Sequence, residues 1–433
     1  MTPSARISAA IEVLADIADR RRPAPDALKD WGLSHRFAGS SDRAAIAGLV
    51  YDALRRRASE AYVMGEETPR AIMLGMLYLE RKLGADTIAA LFDGSRFAPT
   101  PLSETERARQ ASADLSAAPA HVAGDYPAWL DPHFAHAFGE ERAEEGAALA
   151  SRAPLDLRVN TLKAERDQVL PELAEYKAAP ARWSPYGVRI VVAPDARNPA
   201  LQADPAFLKG WIEIQDEGSQ LAALLSAARP GEQVIDLCAG GGGKTLALAA
   251  MMQNKGQIFA TDNDKRRLAP IHARIERAGV RNAQVLTPRK DVDALAGLDG
   301  SADLVLIDAP CTGTGSWRRN PDAKWRLRPG ALDIRRKEQA AVLDRAVSLL
   351  KPGGRIVYVT CSVLDAENGE QIRAFMARHP GFAVVAPSDV TNALGERAML
   401  FRRAVLMSDE GLLLTPRRTD TDGFFVSVLR RKN

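Results

Sequence analysis

VIDLCAGGGGKT, from Val234 to Thr245, joins a short apolar run to four consecutive glycines and then to the start of a helix. An apolar run of this length is typical of a buried parallel strand. Glycines let the backbone turn sharply and approach a ligand, and a helix start behind them favours a carboxylate or phosphate. The stretch predicts a nucleotide-like cofactor site, with a plain glycine-rich turn as the alternative. It is not a P-loop, because Cys238 occupies the position of that motif's first glycine.

Two later stretches repeat this plan of a strand that ends in an unusual residue. LVLIDAPCTGTG places Asp308 and Cys311 after one apolar run, and RIVYVTCSV places Cys361 after another. In an open α/β sheet, ligands bind at the carboxyl ends of the strands, so we expect one site to receive all of these residues. Two thiols beside a carboxylate predict nucleophilic chemistry, in which the thiolate is the reactive form.

An acidic residue also follows the second predicted strand of the same sheet. Asp262 comes directly after the apolar run Gln257–Thr261. An acid at the end of strand two, about 20 residues beyond the glycines, suits the two hydroxyls of a ribose. A ribose-containing cofactor is therefore expected.

The three motifs resemble those of the RNA cytosine-5 methyltransferases of the Sun/Fmu type. DLCAGGGGKT is similar to the family's DLCAAPGGKT, and DAPCTGTG and YVTCSV resemble its two cysteine motifs. The resemblance extends over about residues 126–430 and is strongest to the bacterial members that act on 16S rRNA. Further similar stretches are LDLRVNTLK at 155–163, QDEGSQ at 215–220, WRRNPDAKW at 317–325 and DGFF at 422–425.

The resemblance implies S-adenosyl-L-methionine as the methyl donor and 5-methylcytosine in RNA as the product. It assigns the attack on carbon 6 of cytosine to Cys361, a proton held on ring nitrogen 3 to Asp308, and assistance in product release to Cys311. The target base must leave its stack to reach the thiol. The cofactor-binding residues implied are Cys238, Ala239, Gly240, Gly241, Gly242, Gly243, Lys244 near the carboxylate end, Asp262 at the ribose, and Asp308.

The chain departs from the family pattern in two places. Gly240 and Gly241 stand where the family motif has alanine and proline, which loosens the loop without removing a polar group. The family's usual acid after the third strand is replaced by the residues 287–289, Thr-Pro-Arg, and Asp291 follows too late. No residue is therefore assigned to the adenine.

The predicted fold class is α/β, with a doubly wound, Rossmann-like methyltransferase sheet of seven strands in residues 206–433. Its strands are expected near Gln233, Gln257, Ala283, Asp303, Arg355, Leu412 and Phe424. Residues 121–205 are expected to form a linker and a small α/β subdomain. Residues 1–120 are predicted to be all-helical, because apolar residues recur at helical spacing. Residues 41–57 in this part resemble the NusB-like RNA-binding domain that precedes the catalytic domain in bacterial relatives.

Two basic stretches of the sequence are candidates for contact with RNA. Arg55–Arg57 ends a predicted helix over residues 42–57 and is either a solvated helix end or a contact with RNA phosphates. Residues 311–340 hold eight Lys or Arg against three acids, with Trp317 and Trp325 among them. Basic groups bind phosphates and aromatic rings stack on unpaired bases, so RNA contact is favoured over an ordinary charged surface here.

Composition and cysteine content bound the remaining classes. Apolar residues make up 46% of the 433 residues, charged residues 26%, and the net charge is +3. Three cysteines without a CxxC knuckle predict neither a disulfide framework nor a zinc site, and they fit a reducing cytoplasm. We therefore expect a cytoplasmic protein without a metal or a membrane span, and a monomer.

Other functions stay open from sequence. A DNA cytosine methyltransferase would use Cys311 as its nucleophile and would not need Cys361. A transfer RNA or 23S rRNA substrate would keep the same chemistry. A catalytically inactive RNA-binding or ribosome-assembly protein would keep the fold, although Asp308, Cys311 and Cys361 are all present.

Overall fold

The computed structural model describes residues 1–193, 199–290 and 292–432. Asp291, the late acid noted above, lies outside these residues. The chain divides into two compact units, each built from two pieces of the chain. We call Met1–Arg152 with Trp317–Arg328 the helical unit, and Ala153–Ser316 with Pro329–Asn433 the sheet unit.

The helical unit is a set of short helices around an apolar core. Its first helix begins after Thr2, whose hydroxyl caps it by accepting from the N–H of Ala5, and buries one face that includes Val13 and Leu14. The helices continue past residue 120, where the sequence led us to expect a linker. The α-helices are Pro3–Arg20, Ala24–Ser34, Ser40–Arg55, Arg57–Met64, Pro69–Leu79, Ala85–Leu91, Glu104–Ala111, Ala120–Ala123, Asp131–Phe138, Arg142–Leu149 and Pro321–Arg326.

The single helix predicted over residues 42–57 is two helices in the structure. They are Ser40–Arg55 and Arg57–Met64, and the backbone leaves the helical region at Arg56, with φ −120° and ψ 30°. Arg55 is neither a solvated helix end nor an exposed contact. It is buried, and its guanidinium donates to the carbonyl oxygens of Arg318, at 2.6 Å, and Ser151, at 3.2 Å.

The segment Trp317–Arg328 is part of the core of the helical unit. Lys324 is fully buried, and its ammonium donates to the carbonyl oxygens of Arg55 at 2.5 Å and Asp125 at 2.7 Å. Trp325 donates from its indole nitrogen to the carbonyl of Leu54 at 2.6 Å. Burial lowers the pKa of Lys324 to about 7, because an ammonium loses its hydration there.

The predicted RNA contact is therefore wrong for the buried side chains of this segment. Trp317, Arg318 and Lys324 are each no more than 1% exposed, so RNA cannot stack on or pair with their side chains. The polar groups of the segment instead satisfy carbonyl groups at helix ends, which are the acceptors that a helix leaves without partners. Arg326 and Arg328 at its end remain exposed.

The sheet unit contains a small antiparallel sheet of four strands. In chain order they are β1 (Leu155–Val159), β2 (Ala179–Pro180), β3 (Gly187–Ile190) and β4 (Ile212–Ile214). Their order across the sheet is β2-β3-β1-β4. Its core includes Leu157, Val188 and Ile212.

The large sheet of this unit has nine strands. They are β5 (Gln233–Asp236), β6 (Gln257–Thr261), β7 (Ala283–Leu286), β8 (Ala302–Asp308), β9 (Leu350–Thr360), β10 (Phe382–Val384), β11 (Leu406–Met407), β12 (Leu412–Leu414) and β13 (Phe424–Arg431). Their order is β11-β12-β13-β9-β8-β5-β6-β7, and β10 pairs with β13. All seven predicted strands are present. The two additional strands, β10 and β11, are too short to give a periodic sequence signal.

The sheet is parallel from β7 to β9 and antiparallel beyond. From β5 the chain moves outward to β6 and β7 and then returns to β8 on the other side. The order of the strands therefore reverses between β5 and β8, and this switch point is where open α/β sheets bind ligands. The α-helices of the sheet unit are Arg166–Glu172, Pro205–Leu208, Glu217–Leu224, Gly243–Met251, Lys265–Leu268, Ile271–Ala278, Pro329–Leu349, Gly369–Arg378, Pro387–Val390, Ala398–Ala404 and Pro416–Thr419.

Two apolar clusters in the sheet unit hold the strands in place. One includes Val234, Leu304 and Val357, and the other includes Ile235 and Val305. Neighbouring residues of one strand thus fall in different clusters, as expected for a sheet that is covered on both faces. Among the residues described, no helix is long and apolar enough to cross a bilayer.

Candidate active site

The predicted site residues lie at the carboxyl ends of β5, β8 and β9. These strands are neighbours, with Asp236 of β5 paired to Leu306 of β8 and Asp308 of β8 paired to Val359 of β9. Cys361 is the first residue after β9. The structure thus brings the glycine loop, Asp308 and the two cysteine motifs to one edge of the sheet.

The glycine loop bends in a way that side chains would prevent. Gly240 and Gly242 have φ of +50° and +84°, in the left-handed region that glycine favours. A Cβ at Gly242 would lie 2.5 Å from Ile271. The loop leads directly into the helix Gly243–Met251, whose N-terminus favours negative charge. The backbone at this loop therefore fits a carboxylate-bearing cofactor.

Asp262 is tied to the same loop. Its carboxylate accepts from the N–H of Gly240 at 3.0 Å and from the N–H of Asp264 at 2.9 Å. Each bond uses a different oxygen, so each oxygen keeps a lone pair for another donor. The side chain is held at the end of β6, the position where an acid suits a ribose.

Lys244 and Asp308 form an ion pair at the switch point. The ammonium nitrogen lies 2.7 Å from a carboxylate oxygen, and the ammonium also lies over the ring of Phe424 at 5.2 Å from its centroid. The side chain of Lys244 is 6% exposed and that of Asp308 is 35% exposed. The pair therefore presents its carboxylate side to the solvent.

Asp236 is a site residue that the sequence reasoning missed. It is completely buried at the end of β5 and accepts from the hydroxyl of Thr245 at 2.7 Å. Burial raises its pKa to about 7, and the neighbouring carboxylate of Asp308 adds to this. The sequence signal for Asp236 is that it is the acid at the start of DLCAGGGGKT. From the sequence alone it resembles an ordinary strand residue, and only the structure shows that the hydroxyl of Thr245 faces it.

The two cysteines predicted to act together are in contact. Their sulfur atoms lie 3.3 Å apart. The hydrogen bond to Cys361, together with burial, raises the pKa of Cys311 well above its usual range. In this contact either sulfur can be the donor.

Glu367 holds the loop that carries Cys311 and was also missed. This fully buried carboxylate accepts from the N–H of Thr312 at 2.8 Å, from the Thr312 hydroxyl, and from the side chain of Gln339 at 3.0 Å. The same loop is bonded to the Cys361 motif, since the N–H of Gly315 donates to the carbonyl of Cys361 at 2.9 Å. The two thiols are thus fixed by backbone bonds as well as by packing.

Cys238 differs from the other two cysteines. Burial and the nearby carboxylates of Asp236 and Asp308 raise the pKa of its thiol far above the usual range. A thiol in such surroundings stays protonated and unreactive. Its predicted part in lining the cofactor site requires no reactivity and stays a prediction.

The comparisons with known proteins agree with this architecture. The family model for 16S rRNA methyltransferase RsmB/F matches residues 223–430. The model for the ferredoxin-like domain of Methyltr_RsmF/B-like proteins matches residues 126–196.

Individual proteins that are similar to this chain carry methyltransferase names as well. The probable ribosomal RNA small subunit methyltransferase B of Synechocystis sp. is 28% identical over 97% of this chain and 98% of its own length. The ribosomal RNA small subunit methyltransferase B of Sodalis glossinidius is 33% identical over 70% of this chain, and the alignment spans 65% of that relative. A solved methyltransferase homolog protein from Pyrococcus horikoshii superposes with a TM-score of 0.57, at 27% identity, over 72% of this chain and 97% of that one.

These matches confirm the predicted family and the methyltransferase fold. The glycine loop, with the cation Lys244 and the acid Asp262 beside it, fits the S-adenosylmethionine that such enzymes use. The chain belongs to the 16S rRNA methyltransferase RsmB/F family of S-adenosylmethionine-dependent enzymes.

Proposed function

We propose that this RNA methyltransferase forms 5-methylcytosine in 16S rRNA through a covalent adduct between Cys361 and carbon 6 of the base. The observation that carries the proposal is the contact between the sulfur atoms of Cys311 and Cys361, 3.3 Å apart at the ends of neighbouring parallel strands. Two thiols in one site suit a reaction that needs one nucleophile and one group for release.

Cytosine requires such a nucleophile because its carbon 5 reacts poorly by itself. The thiolate of Cys361 adds to carbon 6, and the electron pair of the 5,6 double bond moves to carbon 5. When bound, S-adenosylmethionine supplies a methyl group on a positively charged sulfur, which carbon 5 takes. With the assistance of Cys311, a water molecule then takes the proton from carbon 5, the electron pair of that C–H bond re-forms the 5,6 double bond, and Cys361 leaves carbon 6 as a thiolate.

The residues around the thiols support these steps. We assign to Asp308, the last residue of β8, the role of holding the proton on ring nitrogen 3. Cys361 attacks the base, and Cys311, whose sulfur lies 3.3 Å from that of Cys361, assists the release afterwards. These two roles follow the resemblance to the RNA cytosine-5 methyltransferases, whereas a DNA cytosine methyltransferase would use Cys311 as its nucleophile.

The proposed cofactor contacts follow the same edge of the sheet. Residues 238–244 line the methionine part, with Lys244 near its carboxylate, and Asp262 binds the ribose hydroxyls. Lys244 must then divide its charge between the cofactor and Asp308, whose carboxylate oxygen lies 2.7 Å from its ammonium nitrogen.

The test is bisulfite sequencing of total RNA from cells with and without the gene. Loss of one protected cytosine in 16S rRNA is the expected result. A loss in transfer RNA or 23S rRNA would keep the chemistry and replace the substrate. No change in any RNA would favour the inactive RNA-binding or ribosome-assembly protein.

Variants of the two cysteines test the adduct with purified protein. Cys361→Ala should abolish methylation and keep cofactor binding, whereas Cys311→Ala should trap a covalent protein–RNA complex that survives denaturing electrophoresis. The double variant Cys311→Ala/Cys361→Ala is the matched control and should trap no complex. Turnover by Cys361→Ala, or an adduct formed through Cys311, would contradict the proposed nucleophile.

A further inference from the structure

The glycine loop lacks the residue that stiffens it in related motifs. Gly241 stands where DLCAAPGGKT has its proline, and Gly240 stands where that motif has alanine. Proline fixes its own φ, whereas glycine has the largest conformational freedom of any residue. Ordering four consecutive glycines around a ligand therefore costs more conformational entropy than ordering the alanine- and proline-containing loop. Something else must hold this loop in a binding-ready shape.

Arg274 contacts the loop at the position of the missing proline. It lies on the helix Ile271–Ala278, and its guanidinium donates to the carbonyl oxygen of Gly241 at 2.6 Å. A second nitrogen of the same guanidinium donates to Glu213 at 3.0 Å. Hydrogen bonds from a charged donor are about twice as strong as neutral ones.

Glu213 is itself held firmly. It lies on β4 with its residue 2% exposed, and its other carboxylate oxygen accepts from Arg277. Arg277 in turn lies over the ring of Phe207, 4.0 Å from its centroid. Arg274 is thus fixed at its far end by a buried carboxylate that cannot swing away.

The helix of Arg274 also braces the next residue of the loop. Ile271 packs so closely against Gly242 that an added Cβ would lie 2.5 Å from its side chain. On the other side, Asp262 accepts from the N–H of Gly240. Three consecutive glycines are therefore each held by a different side chain, and only the bond to Gly241 depends on Arg274.

We propose that Arg274 is a positioning residue for S-adenosylmethionine, and that it replaces with a side-chain bond the rigidity that proline gives related loops. It acts through the backbone of Gly241 and contacts no reacting atom. The loop of this chain is accordingly rigid in the folded protein although its sequence is flexible.

The test measures the affinity of the full-length protein for S-adenosylhomocysteine by titration calorimetry. It includes a second-site rescue, in which a second substitution should restore part of the affinity that the first one removes. Arg274→Met removes the charged bond and should weaken binding about tenfold, as expected for the loss of one such bond. The rate at saturating cofactor should stay near that of the wild type. Backbone amides of residues 240–243 should exchange hydrogen faster in the variant.

Gly241→Pro supplies the rescue. Gly241 is not among the glycines with positive φ, and no bond from its N–H is found within the described parts of the chain, so proline there would break no such bond. In the wild type, the new Cβ would lie 3.1 Å from the guanidinium of Arg274, and this crowding disappears in Arg274→Met. The double variant should therefore bind more tightly than Arg274→Met alone.

Arg281→Met is the matched control, because Arg281 is an exposed arginine that follows the same helix. Its affinity should remain within about twofold of the wild type, as for a change outside the site. If Arg274→Met does not fold, Arg274→Gln gives the same test, since its shorter, neutral side chain removes the charged donor to Gly241. Unchanged affinity in the Arg274 variant, or a double variant no tighter than the single one, would overturn the proposal.

Discussion

Lys244 and Lys324 are both buried lysines, but they have different kinds of partner. The partner of Lys244 suits the proposed ligand site, whereas the partners of Lys324 belong to a structural core. Lys244 faces a carboxylate, Asp308, that is itself 35% exposed, so the pair borders the solvent. Lys324 is fully buried and donates to the backbone carbonyl oxygens of Arg55 and Asp125. An exposed carboxylate such as Asp308 can give way to a ligand that brings its own negative charge. The carbonyl oxygens that accept from Lys324 are parts of the buried backbone and cannot move away in the same manner.

The difference shows that burial of a charge does not by itself mark a functional site. What matters is whether the charged group has a partner that can be replaced. The following predictions test this distinction, from the largest expected effect to the smallest.

Removing the ammonium of Lys324 should damage the helical unit most. Lys324→Ala leaves the carbonyl oxygens of Arg55 and Asp125 without a donor in a dry core, which should lower the free energy of unfolding by about 3–5 kcal/mol. Urea denaturation followed by circular dichroism measures the change. Arg328→Ala, an exposed change in the same segment, is the control and should cost less than about 0.5 kcal/mol. A cost below 1 kcal/mol for Lys324→Ala, about that of an exposed pair, would remove the distinction.

The buried carboxyl of Asp236 should make the stability of the sheet unit depend on pH. Its folded-state pKa of about 7 lies above the unfolded value, so the folded state holds one more proton between about pH 4 and 7. The associated stability is present below pH 4 and is lost as the pH rises through 7, by about 2–4 kcal/mol. Asp236→Asn keeps the acceptor for Thr245 and should lose this dependence. Urea midpoints at pH 5 and pH 8 compare the two proteins, and a constant difference between them would contradict the prediction.

Lys324 should produce the opposite trend in the helical unit at higher pH. Its folded-state pKa of about 7 is below the unfolded value, so the unfolded state holds one more proton between about pH 7 and 10. Stability should therefore rise with pH in this window, by about 2–3 kcal/mol from pH 7 to 9. Lys324→Met lacks the titrating group and should show no such rise. Equal slopes for wild type and variant would mean that another group titrates.

Lys244 should have the smallest effect on stability and a clear one on binding. Lys244→Ala breaks a pair at the solvent border, so the free energy of unfolding should fall by only about 1 kcal/mol. Affinity for S-adenosylhomocysteine should fall at least about tenfold, because a charged contact to its carboxylate is lost. Calorimetry and denaturation on the same sample separate the two quantities. A large loss of stability with unchanged affinity would make Lys244 a structural residue like Lys324.

The sequence predicted the edge of the sheet where the site lies, for a simple reason. Parallel strands end on the same side, so Asp308, Cys311 and Cys361 had to meet once their strands were recognised as neighbours. The seven main strands were predicted because each is an apolar run bounded by turns. These inferences needed only local sequence and a general rule of topology.

The residues that support the site could not be predicted in this way. Glu367 and Arg274 act through partners that are far away in sequence, Thr312 and Gly241, and only the folded chain shows these pairs. Lys324 was misread because lysine is usually exposed, and here tertiary packing overrides that preference. No sequence pattern identifies the carbonyl groups that accept hydrogen bonds from Lys324.

The insertion of Trp317–Arg328 into the helical unit has a consequence for how the protein is made. The first 152 residues leave the ribosome without the segment that fills part of their core. Since domains generally fold as units during synthesis, the helical unit must wait until residue 328 has emerged, by which time most of the sheet unit has been made as well. Cutting the chain after Arg152 would accordingly yield a helical fragment with an open core and a remainder with an unburied tryptophan and lysine. Although each unit is compact by itself, neither can be completed during synthesis from one continuous piece of the chain.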